Sequence, residues 1–165
     1  MRRVFTFCFA CFLLAALALF CLFSCGESRS LYELLLPLST DESLPAGKIL
    51  VYGGDVADAV DENFVCDYLF LPRGDAFAGK IDEMAVYSSL KEPFCEVCLL
   101  RVCRADDLAD ARRLLSRRAE AVARTLRTGG IDGFAARAEV YVRGNTAALL
   151  MMPDNAAAKK LVFGG

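Results

Sequence analysis

Four cysteines, Cys66, Cys95, Cys98 and Cys103, come nearest to carrying chemistry by type and spacing. Cys95 and Cys98 frame Glu96-Val97, the C-x-x-C spacing of a dithiol redox pair or of half a zinc site. The redox use needs its thiol at a helix start, where the dipole lowers the pKa. Here both thiols fall in the apolar run Phe94–Cys103, which reads as a strand, and residues three apart in a strand point to opposite faces. Zinc would need two further ligands, which Cys66 and Cys103 alone could supply among these four. Buried thiols also pack as small hydrophobes, and four cysteines allow three full disulfide pairings. The expectation is core packing or a structural disulfide. A thiol–disulfide oxidoreductase using Cys95 and Cys98 is the enzymatic alternative, and no metal or cofactor is expected.

Other chemistry is sparse. The chain has no His and no Trp. The usual general base near neutral pH and the commonest metal ligand are therefore missing, as are Ser-His-Asp and Cys-His sites within this chain. Gly53-Gly54 and Gly129-Gly130 lack the spacing of a phosphate-cradling loop. Asp55, Asp58, Asp61 and Glu62 cluster without the alternating oxygen ligands of a calcium loop, so a solvated acidic face is expected. Asp82-Glu83 and Glu96 could meet across paired strands. Arg112, Arg113, Arg117, Arg118, Arg124 and Arg127 form a lysine-free set. Guanidinium groups favour bidentate contacts to carboxylate or phosphate. On a helical wheel Arg113, Arg117, Arg124 and Arg127 share a face, interrupted by Glu120. They are the candidate polyanion-binding residues. The competing reading is a solvated face that pairs with the acidic N-terminal half.

These residues sit in a chain with a marked address. Arg2 and Arg3 open it, Val4 to Phe23 carries no charge, and Leu22-Phe23-Ser24-Cys25 precedes an abruptly polar Gly26-Glu27-Ser28-Arg29-Ser30. That layout is a secretory signal. It resembles a bacterial lipoprotein signal, with Phe23 bulkier than the pattern favours. The resemblance implies that Cys25 is acylated and becomes the first mature residue. The alternative is an uncleaved anchor, since about 20 apolar residues span a bilayer. Residues 1–24 are thus read as signal peptide, 25–30 as tether and 31–165 as a single extracytoplasmic domain. Cys8, Cys11 and Cys21 fall in the apolar signal. From Glu27 to Pro93 there are 5 basic and 13 acidic residues, and from Phe94 to Gly165 there are 12 and 8. The two halves are expected to pair across one fold. The sharper alternative is a basic face towards anionic lipid or polymer.

The elements that position these residues follow from periodicity. Leu31 to Leu36 reads as a short helix capped by Ser30 and ended before Pro37. A loop covers 38–47, and Lys48 to Tyr52 suits a short strand. The segment 55–71 holds one or two helical turns, closed by Pro72-Arg73-Gly74-Asp75. Lys80 to Ser89 and Phe94 to Arg104 read as strands. Leu108, Ala111, Leu115, Ala119, Val122 and Leu126 trace one apolar stripe, predicting a helix over 107–128 with Asp106 or Asp107 as cap. Ala138 to Arg143 and Thr146 to Met152 form a hairpin about Gly144-Asn145, and Asp154 to Phe163 a closing helix. The expected class is α+β. Its antiparallel sheet has about four strands, in ββαββ order, covered by the long helix and the C-terminal one.

Several strings in this order resemble a family of small lipoproteins of Gram-positive bacteria, domain of unknown function 4358. They are Ile81-Asp82-Glu83-Met84-Ala85-Val86-Tyr87-Ser88-Ser89, Glu96 opening an apolar strand, the Asp106-Asp107 helix with Arg117-Arg118, and Glu139-Val140-Tyr141-Val142-Arg143-Gly144-Asn145 leading to Pro153-Asp154. The resemblance covers roughly residues 55–163. It departs in the Cys-rich second strand and the stretch 72–79, and it brings no activity or binding residues. Taken together, the expected protein is a membrane-tethered extracytoplasmic lipoprotein, a non-catalytic binding or accessory module. Its partners would be the membrane, through the lipid, and a cell-wall polymer or another envelope protein, with no role for nucleic acid. A structural envelope protein binding anionic polymer or lipid through the arginine face is the third reading.

Overall fold

The computed structural model describes residues 29–54 and 56–164. Residues 1–28, with the signal, Cys25 and most of the tether, lie outside that range, as do Asp55 and Gly165. The chain first forms helix α1, Leu31–Thr40. Leu31, Leu35 and Leu38 recur along one side and are buried, while the Ser30 hydroxyl caps the start. Pro37 lies inside α1 rather than after it. An interior proline removes one backbone bond and ordinarily costs about 3 kcal/mol. Carrying the helix on buries Leu38 beside Leu31 and Leu35, and the Ser39 and Thr40 hydroxyls donate back to the Leu36 and Pro37 carbonyls.

Strand β1, Gly47–Gly53, is followed by helix α2, Glu62–Leu69. Gly53 takes φ +70°, and a side chain there would press within 2.3 Å of the Asp82 carbonyl oxygen. Asp61 caps α2 by accepting from Phe64 N at 3.0 Å, so one of the four clustered acids has a structural task. Strands β2, Ile81–Ser89, and β3, Glu96–Val102, form an antiparallel pair. Helix α3, Leu108–Gly129, follows and stops at Gly130 in the left-handed region. Asp107 stands at its cap position but makes no side-chain cap bond. Its carboxylate instead takes the Lys80 ammonium at 2.7 Å. Strands β4, Glu139–Arg143, and β5, Thr146–Met151, form the expected hairpin, and helix α4, Asn155–Phe163, closes the chain with Asp154 as cap.

The architecture is α+β, as expected. The sheet has five strands rather than about four, in the order β1-β2-β3-β5-β4, and every neighbouring pair is antiparallel. Chain reversal after α3 sends β5, not β4, into the centre beside β3. Alternate residues feed two separate cores. Met84, Val86, Cys98, Leu100, Ala147 and Leu149 pack under α2 and α3. Ala85, Tyr87, Val97, Leu99, Ala148 and Leu150 pack under α1 and α4. The two expected helices thus cover opposite faces, each with a second helix beside it. A strand buried on both faces has no polar side to show, which is why β3 reads as one continuous apolar run.

Candidate functional site

On the α2–α3 face the sheet carries a charge. Glu96 opens β3 and is 1% exposed. Arg118 reaches it from α3 with two bonds, Nη2 to Oε2 at 2.9 Å and Nε to Oε1 at 3.3 Å. The Tyr68 hydroxyl of α2 donates to the same Oε1 at 2.7 Å. The guanidinium lies over the Tyr68 ring, 4.2 Å from its centre. Burial alone would lower the Arg118 pKa, but the bonds and charge of Glu96 more than offset it and the net displacement is upward. The Tyr68 phenol is pushed well above its usual value, by burial first and then by Cys98 and Glu96. The arrangement locks α2, α3 and β3 together, with Glu96 buried and the Arg118 side chain 19% exposed.

The opposite face holds a second clamp. Glu83 of β2 and Arg101 of β3 are cross-strand partners, with Nη1 2.7 Å from Oε2. The other Glu83 oxygen accepts from Leu31 N at 2.8 Å and from the Ser30 hydroxyl at 2.6 Å. A carboxylate there also meets the positive end of the α1 dipole. Arg101 completes the clamp by donating Nη2 to the Arg29 carbonyl at 2.7 Å. Glu83 and Glu96 therefore do not meet. They stand on opposite faces, Glu83 across from Arg101 and Glu96 across from Ser88.

The cysteines separate in the same way. Cys95 packs with the α1–α4 core and Cys98 with the α2–α3 core. Cys66 is buried in α2, Cys103 is exposed, and all four are free. Burial, then the Glu96 charge, pushes the Cys98 thiol up to about 12. Burial also raises Cys95, partly countered by a bond to Ser89. Reactive thiols are displaced the other way.

Of the sequence-selected arginines, Arg113, Arg117, Arg124 and Arg127 are all exposed. Arg113 pairs with Asp110 at 2.9 Å and Arg124 with Glu120 at 4.0 Å, both along the helix. Such exposed pairs contribute little. Arg113 and Arg117 border an open groove of about 470 Å³ between α3 and the loop 70–80, with Lys80, Phe70, Phe77 and Asp75 on its walls. Arg124 and Arg127 do not line it. Asp58 and Glu62 are exposed, and among the described residues no three metal-binding side chains converge.

Three partners were missed by the sequence reading: Arg118, Arg101 and Tyr68. Arg118 follows Leu114 and precedes Val122 by four residues each, so it sits on the buried side of α3. A lone charge at such a position signals an internal partner.

Compared with known families, characterised proteins and solved structures, the chain matches none.

One local feature stands apart. Phe70 takes φ +56° at the end of α2 and is 47% exposed. A bulky side chain in that region costs about 1–2 kcal/mol. Phe70→Gly is therefore expected to leave the chemical-denaturation stability unchanged or raise it by about 0.5–1 kcal/mol. A loss above about 1 kcal/mol would show that the ring is a structural prop.

Proposed function

We propose that this chain is a lipid-anchored extracytoplasmic module that binds a partner and performs no catalysis itself. One observation carries the reading. Arg29 is held by Arg101, and the α1 start by Glu83, only four residues after Cys25. Four residues span at most about 14 Å, so a lipid on Cys25 would keep this end of the sheet close to the membrane. A binding module gains from being held at a short, bounded distance. The ordered strings that resemble domain of unknown function 4358 add support, and so does the abrupt switch from apolar to polar at Cys25. None of the described helices is long and apolar enough to cross a membrane.

The oxidoreductase alternative draws no support from the cysteines. Cys95 and Cys98 serve different cores, and neither thiol is displaced towards the thiolate. The partner class is an envelope polymer or another envelope protein.

Cys25→Ser tests the address. The variant is expected to lose incorporation of labelled fatty acid and either to leave the membrane fraction or to persist as an unprocessed precursor. Undiminished lipid labelling would overturn the proposal. Native thiol titration is expected to modify Cys103 alone, and rapid reaction of Cys95 at neutral pH would revive the enzymatic reading.

A further inference from the structure

The groove between α3 and the loop 70–80 has a composition that a plain anion site would not need. Its basic side chains are Lys80, Arg113 and Arg117, and its acidic ones are Asp75 and Asp110. Arg117 has no acidic partner within 4 Å among the described residues. Arg113 gives one nitrogen to Asp110 and keeps its other donors, and its side chain is 71% exposed. Lys80, bound to Asp107, keeps a side chain 45% exposed. Asp75 spends one carboxylate oxygen on Phe77 N and keeps the other. The loop wall sets Leu71, Pro72 and Phe77 among Asp75 and Lys80, and it includes Phe70, whose backbone is strained and whose ring centre lies 5.8 Å from the Arg118 guanidinium.

We propose that this groove binds a phosphate-bearing sugar. The phosphate engages Arg117 and Arg113, with Lys80 at the end of the groove. Guanidinium forks match phosphate geometry, and the exposed Arg113–Asp110 pair is readily exchanged for a doubly charged ligand. The sugar hydroxyls donate to Asp75 and Asp110, and the C–H face of the ring covers Phe70. That division explains why acids persist among the cations, as a site for a bare polyanion would exclude them. It also gives Phe70 a reason to hold a conformation that glycine would hold without strain. Strained residues of this kind gather at ligand sites. The hollow of similar size between α3 and β4 has mostly alanines on its walls, with one arginine, one glutamate and no aromatic ring. The groove's volume falls in the range of small-molecule sites.

The assignment does not depend on Cys25, because the groove is complete without the lipid. The test uses the full chain in non-ionic detergent, titrated with glucose 1-phosphate, glucose and inorganic phosphate by calorimetry. Glucose 1-phosphate is expected to bind at least about tenfold more tightly than either half, in the millimolar range or below. Arg117→Glu and Phe70→Gly should each weaken it about tenfold or more, Phe70→Gly without lowering the thermal midpoint. Arg127→Glu, with the same charge change on the same helix but outside the groove, should leave binding intact. Four outcomes would overturn the proposal. They are no saturable binding at about 10 mM, inorganic phosphate binding as tightly as the sugar phosphate, an equal loss in Arg127→Glu, and binding to anionic phospholipid vesicles alone.

Discussion

Arg118→Ala is expected to destabilise the domain by about 3–5 kcal/mol, read as a drop in the urea midpoint. The loss comes chiefly from what stays behind. Glu96 is 1% exposed, and without the guanidinium its carboxylate keeps only the Tyr68 hydroxyl. A buried charge deprived of its partner is among the few single changes that cost this much. Total stabilities of about 5–15 kcal/mol leave such a variant marginal. A second variant isolates the cause. Arg118→Met with Glu96→Leu removes both charges and fills similar volumes, at the smaller cost of leaving the buried Tyr68 hydroxyl without an acceptor, so it should recover part of the loss. If the double variant is no more stable than Arg118→Ala, packing of α3 on Tyr68 rather than the orphaned carboxylate sets the cost. If Arg118→Ala itself costs under about 1 kcal/mol, water reaches Glu96 freely and the pair behaves as a surface pair.

Glu83→Ala should cost a similar amount, about 3–5 kcal/mol, with a local signature that Arg118→Ala lacks. It strands Arg101, whose side chain is 11% exposed. It also removes the acceptor of Leu31 N and of the Ser30 hydroxyl, so α1 loses its first turn's support. Hydrogen exchange in 31–40 should therefore accelerate more than exchange in α3. Glu83→Gln keeps one acceptor oxygen, which can still serve Leu31 N and the Ser30 hydroxyl, but sets an NH2 donor against Arg101 and loses the charge, so it should fall between the parent and alanine. Unchanged exchange in α1 would mean that Leu31, Leu35 and Leu38 hold the helix on the sheet unaided.

The sequence made the fold class legible where one signal dominated. The α3 stripe and the Gly144-Asn145 turn each have a single physical reading, and both appear where expected. Pro37 misled because its local cost was weighed without the burial of Leu38 that offsets it. The fifth strand is β1, legible as a short strand at Lys48 to Tyr52, but its place beside β2, like the crossing of β5 to pair with β3, is a long-range event with no local mark. The candidate site was less legible. The wheel found Arg113 and Arg117, yet their groove exists only because the 70–80 loop folds against α3. Arg118 was grouped with its exposed neighbours although its stripe position set it apart. Glu83 and Arg101 carry no sequence signal beyond sitting in apolar strands, and only strand register makes them partners.

The clamp at Arg29 has a mechanical side. In the membrane-tethered reading, thermal tugging of the bilayer on the protein arrives through a few residues at one end of the sheet. Arg101 and Glu83 belong to β3 and β2, so they pass that load straight into the interior of the sheet. Without them the force would first fall on α1, a ten-residue helix interrupted by a proline, and then on the edge strand β1. An edge strand can be peeled away one bond at a time, whereas inner strands must yield together. In that reading the clamp works as a strain relief, taking load at Arg29 while the groove on the opposite face of the sheet keeps its shape.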